Sequence, residues 1–259
     1  MNNILRYDLS SFASRCEAVV VCLVAVACVD NATATDSLLP WTPSGAVALA
    51  CTPNLDGRID AAELSPAIGV PARFRVTADG ASVPIDVAGT VDAAGQRVWD
   101  WSANRPEDRL ATVTASTTTG RWYADHFPSG AFVVPLDPAG EIEAIWKKDT
   151  QALRLIGVAS AEAKPTAGTT LLVYTEPVEL YRFPLIPGAA WTTIGEVKKG
   201  TLYGLPWAGV DTYEVVVDAA GRLELPDMTL TQVLRVRTLA TIAPSFGSAV
   251  SERQVSFLF

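Results

Sequence analysis

The sequence predicts a mainly β protein, an antiparallel β-sandwich or curved β-sheet domain, and three observations carry that prediction. Apolar and polar residues alternate over short runs after Ser65. Turn-forming residues recur about every 8 to 12 positions, as in sandwiches and curved sheets. No apolar stripe of helical period runs for a useful length. With 49% apolar residues in 259, the chain can bury one large core or two small ones.

The first element is an export signal over residues 1–27. Ala18 to Val29 is an uncharged run of twelve residues, short of the roughly 20 that span a bilayer but suited to a signal-peptide core. Arg6 and Arg15 before it are balanced by Asp8 and Glu17. Two cleavage sites compete. Ala25-Val26-Ala27-Cys28 resembles a bacterial lipobox, although alanine stands where leucine is usual, and it makes Cys28 the lipidation site and the first mature residue. Ala32-Thr33-Ala34 would instead release a free chain near Thr35. A cysteine closing an apolar signal core favours the first, so the expected location is the cell envelope, at a membrane surface through a lipid anchor.

Residues 28–44 are small, polar and interrupted by Pro40 and Pro43, which reads as a flexible tether. The rest, 45–259, is taken as one β-rich domain. Of four cysteines, Cys16 and Cys22 leave with the signal and Cys28 takes lipid, so Cys51 has no partner. No Cys/His cluster suits zinc, and a single histidine excludes H-E-x-x-H. The net charge of −8 and pI near 4.7 leave no basic footprint for nucleic acid or for anionic membrane surfaces, and both should repel the chain.

Thr52 to Glu63 reads T-P-N-L-D-G-R-I-D-A-A-E. A calcium loop of the EF-hand type wants oxygens at positions 1, 3, 5, 9 and 12, a main-chain carbonyl at 7 and glycine at 6. Those places hold Thr52, Asn54, Asp56, Asp60, Glu63, Arg58 and Gly57. Ile59, at position 8, would point away from the ion into apolar packing. Hydroxyl replaces the usual aspartate at position 1, so Ca2+ should bind weakly and serve structure. The exit helix is limited to about Asp60 to Leu64 by Ser65-Pro66, and no second loop exists to pair with the first.

Strands follow from alternation. Phe74 and Val76 alternate with Arg73 and Arg75, and similar runs occupy Gln96 to Trp101, Leu110 to Ala115, Ala131 to Leu136, Leu171 to Tyr174 and Gln232 to Arg237. Asp92 to Gly95 and Asp137 to Gly140 read as hairpin turns. Tyr213, Val215 and Val217 lead into Asp218-Ala219-Ala220-Gly221, expected as a hairpin turn with left-handed Gly221, and then Leu223 and Leu225. Ala161 to Thr170 is either a boundary between two β halves or one long loop. Val255, Phe257 and Phe259 end the sequence inside an apolar strand, so the reading frame is expected to continue.

The order N-x-D-G-x-I-x-x-x-E (Asn54 to Glu63), V-W-D-W-S (Val98 to Ser102), F-P-L-x-x-G-x-x-W (Phe183 to Trp191), T-Y-E-V-V-V-D-A-A-G-R-L-x-L-P (Thr212 to Pro226) and V-L-R-V-R-T (Val233 to Thr238) is similar to a group of predicted bacterial lipoproteins. Within it the loop resembles a lone EF-hand-like or dockerin-like half-site. The resemblance implies envelope localisation and fold class rather than a reaction.

Three function classes remain at this level. Trp99 and Trp101 lie on one face of a strand, and with Trp122, Tyr123 and Trp207 would complete an aromatic surface for a saccharide or apolar ligand, or for an envelope protein; the alternative is that they fill the core. Asp125, His126 and Ser129 are the single place where acid, imidazole and hydroxyl cluster, yet no G-x-S-x-G elbow accompanies them. A hydrolase with paired carboxylates is the rival, with 28 acids and no spacing that selects a pair. A purely structural envelope protein is the third reading.

Overall fold

The computed structural model describes residues 54–77, 83–137 and 139–259. Its strands are β1 (Pro71–Val76), β2 (Thr90–Val91), β3 (Arg97–Asp100), β4 (Arg109–Thr114), β5 (Ser116–Thr117), β6 (Phe132–Pro135) and β7 (Ile142–Lys148), followed by β8 (Ala152–Ser160), β9 (Leu171–Arg182), β10 (Ala190–Leu202), β11 (Leu205–Glu224), β12 (Thr229–Pro244) and β13 (Val250–Leu258). The protein is mainly β, as predicted. From β5 to β13 each strand pairs with the next in one antiparallel meander, while β3, with β2 at its side, pairs in parallel with the end of β11. β1 and β4 form a separate antiparallel pair.

Alternation decides which side chains face inward, because successive Cβ atoms point to opposite faces of a strand. In β10, Trp191, Thr193, Gly195 and Val197 are buried and their neighbours are not. Inward residues from eight consecutive strands, among them Phe132, Trp146, Leu155, Tyr174, Val197, Val215, Val236 and Leu258, make one core. The meander therefore curls around its own inner face, far enough that the Tyr181 hydroxyl of β9 faces Ser256 of β13. Val113 and Ala115, from the end of the β1–β4 pair, pack on the same core, which makes the arrangement sandwich-like. The outer face carries two smaller clusters. One lies beneath Trp122 and Phe127, and the other joins Trp99 to Leu223, Val233 and Phe257.

Several turns fall where the sequence puts them: Gly95 closes β2–β3 with φ +79° and Gly140 closes β6–β7 with φ +69°. Ala161 to Thr170 is a hairpin connection, closed by Ser160 N–H donating to Thr170 at 2.9 Å. The Asp218 to Gly221 turn is overturned. β11 runs through it as one strand of 20 residues, absorbing register shifts between Val217 and Ala219 and between Gly221 and Leu223. Gly221 is not left-handed; a Cβ there would collide with the Arg97 carbonyl and stand 2.9 Å from the Trp99 ring, so glycine is required for β3 to approach.

Candidate functional site

The calcium-like loop has the backbone of its type. Gly57 takes φ +80° at the turn. Asn54 Oδ1 accepts the Asp56 N–H at 3.1 Å and Asp56 Oδ1 accepts the Arg58 N–H at 3.0 Å, two short Asx turns that curl the chain inward. Glu63 reaches back to accept the Asp60 N–H at 2.8 Å and the Asn54 N–H at 3.4 Å. Ile59 is 5% exposed and joins the inner core, as its position implies. Its N–H and carbonyl exchange hydrogen bonds with Leu185 at 3.0 and 2.9 Å, so the connection between β9 and β10 supplies the main-chain partner that a second loop would otherwise give. The expected exit helix reduces to one turn, with Glu63 N–H donating to Asp60 at 3.1 Å.

The donor atoms are of the right kind, hard oxygens, but they are engaged within the loop. The Arg58 guanidinium lies 2.5 Å from Asp60 and 3.9 Å from Asp56, and its hydrogen bond to Asp60 raises its pKa. Among the described residues no three Asp, Glu, His or Cys side chains are grouped to hold a metal ion. Asn54, Asp56, Asp60 and Glu63 thus supply oxygens of the kind calcium takes, but they are not gathered around one point and Arg58 competes for the carboxylates. Thr52, Cys28 and Cys51 lie outside the described residues.

Trp99 is fully buried and Trp101 half-buried. Both stand edge-on to Phe257, with ring centroids 4.8 and 4.7 Å away. Their indole N–H groups donate to the Val87 and Asp86 carbonyls, each at 3.1 Å. The Arg235 guanidinium sits 5.7 Å from the Trp99 ring centroid and is itself held by a two-pronged pair with Asp218. Trp99 therefore belongs to the packing between β3 and the sheet rather than to an exposed ligand platform. Asp125, His126 and Ser129 are all exposed or half-buried around a single 3-10 turn (Ala124–His126), and no hydrogen bond joins their side chains. A cleft of about 340 Å³ is lined by Pro66, Ile68, Thr117, Gly130, Phe132 and Lys148, without a carboxylate or imidazole.

Two buried polar clusters escape sequence reasoning. On the outer face, Glu143 (3% exposed) accepts a short hydrogen bond from Tyr123 and pairs with Arg121 at 2.7 Å. Burial, then the adjacent carboxylate, push the Tyr123 phenol above its usual range, with Arg121 acting against them. On the inner face, Asp211 (3% exposed) accepts a short hydrogen bond from Tyr174 of β9 through one oxygen, and its Oδ1 has no partner. Burial pushes the Asp211 carboxyl up to about 6, against the lowering effect of that hydrogen bond. The one signal in sequence is an acid, Asp211, in step with the inward Tyr213, Val215 and Val217. Tyr123, Glu143, Tyr174 and Asp211 are all buried, and none of them lines the cleft.

No family model, curated protein or solved structure matches this chain.

Proposed function

We propose that the chain is a non-catalytic, envelope-anchored lipoprotein, a binding or interaction module whose loop 52–63 is a weak structural calcium site. The observation that carries the reading is the docking of the loop: Ile59 in the core and both hydrogen bonds to Leu185 tie a calcium-type backbone to the β9–β10 connection. A bound ion would release Arg58 from Asp60 and draw Asp56, Asp60 and Glu63 together with Asn54, Thr52 and the Arg58 carbonyl. That competition, with only three acids, supports weak affinity, in the range of about 0.1 to 1 mM seen in extracellular modules.

Calorimetry on the full chain should give a calcium-dependent heat and a higher melting temperature, both lost in Glu63→Gln. Absence of any heat, or one that survives in Glu63→Gln, removes the calcium site. The anchor is tested separately: after expression in a bacterial host, the N-terminal peptide should carry diacylglycerol on Cys28, whereas a free product starting near Thr35 and indifferent to Cys28→Ser refutes lipidation.

A further inference from the structure

The cleft lies where three segments meet: Pro66 and Ile68 from the chain leaving the calcium-like loop, Thr117 of β5, and the start of β6 at Phe132 beside Lys148 at the end of β7. Pro66, Ile68, Ala131 and Phe132 make its wall mostly apolar. Its volume of about 340 Å³ falls at the small end of the range that holds ligands, about 300 to 1,000 Å³.

Among the described residues that line it, the one charged group is Lys148. An ammonium can donate in several directions, and the hydrogen bond this one makes goes to the neutral Ser65 hydroxyl at 3.1 Å. The acids close to it in the chain are engaged elsewhere. Asp149 accepts the Gln151 and Ala152 N–H groups at 2.8 and 2.9 Å and pairs with Arg154. Glu63, two residues before Ser65, accepts the Asp60 and Asn54 N–H groups. Burial lowers the Lys148 pKa, with Asp149 acting against it, as expected of a cation short of a close counter-ion. The net charge of −8 opposes an anion only at long range, and salt screens it beyond about 8 Å.

We propose that this cleft binds a small amphiphilic carboxylate, with the carboxylate on the Lys148 ammonium and the hydrocarbon part against Pro66, Ile68 and Phe132. A single ammonium beside a hydroxyl, with no arginine fork lining the cleft, matches one negative charge rather than a doubly charged phosphate. The apolar wall demands a hydrocarbon body, and the volume limits that body to a short one. The inference goes beyond the envelope and calcium readings and requires neither.

The test titrates the full chain with octanoate, octanol and octylamine by calorimetry. Octanoate should bind at one site per chain and octanol about tenfold more weakly, the scale of one charge-assisted hydrogen bond in a half-open site. Octylamine should give no measurable heat. Lys148→Met keeps the stem and removes the charge, and Ser65 still donates to the Ala62 carbonyl at 3.1 Å, so the melting temperature should hold. In that variant octanoate should fall to the level of octanol. Ile68→Ser, at a side chain 42% exposed, should weaken both ligands alike. Equal octanoate binding by the parent and Lys148→Met overturns the proposal. So does octanol binding as tightly as octanoate, or uptake that does not saturate at one molecule per chain. Should Lys148→Met melt lower, the order of the three ligands on the parent decides alone.

Discussion

Replacing Asp211 with asparagine should make the protein more stable at neutral pH, and the size of the gain follows from its surroundings. The carboxyl lies inside the curl between β9 and β11. Gly195, opposite it on β10, has no side chain; a Cβ there would stand 2.8 Å from the Tyr174 ring, so glycine lets that ring cross β10 and reach Asp211. Tyr174 satisfies one oxygen and Oδ1 stays unpartnered, so ionisation leaves a buried charge with little solvation. Raising the carboxyl from 3.8 to about 6 costs about 3 kcal/mol once it ionises, at 1.36 kcal/mol per unit. The sign is fixed by linkage: the folded state holds this proton more tightly, so its contribution is whole below pH 4 and is lost as pH rises through 6.

The asparagine side chain would keep an acceptor for the Tyr174 hydroxyl and cannot ionise. Urea unfolding of both proteins between pH 4 and 7.5 should show the stability difference shifting by about 3 kcal/mol in favour of Asp211→Asn, mostly between pH 4 and 6. Carboxylates held low, such as Asp149 by the Ala152 and Gln151 N–H groups, produce the opposite slope but are common to both chains and cancel. A difference that does not vary with pH, or one that moves against the variant as pH rises, refutes the reasoning.

Two other outcomes follow from the same packing. Trp99→Ala should cost about 3 to 5 kcal/mol in urea unfolding, because it opens a void beside Gly89, Gly221 and Phe257 and leaves the Val87 carbonyl with Arg235 as its remaining side-chain donor; a loss below about 1 kcal/mol would mean that β3 is not packed as described. His126→Gln should leave circular dichroism, melting temperature and calcium heat within error, since the imidazole is exposed on an isolated turn.

The sequence made the strands legible where one face is wet. β1, β3 and β4 lie within a residue or two of the runs that predict them; β6 does too, although it is buried on both faces, because Gly130 and Asp137-Pro138 bound its short apolar run. β7 and β8 were illegible for the opposite reason: Glu143 to Trp146 and Leu155 to Ser160 are buried on both faces, so no alternation survives and a continuous apolar run is left. β10 alternates in burial, but its inward places hold Thr193 and Gly195, which hydropathy does not count as core. The Asp218 to Gly221 error has a single cause. Glycine after aspartate signals a turn only when its freedom is used for φ, and here it is used for the approach of β3. At the candidate site, Gly57 and Ile59 were legible from spacing, whereas Leu185 was not, because pairing between residues so far apart leaves no local mark.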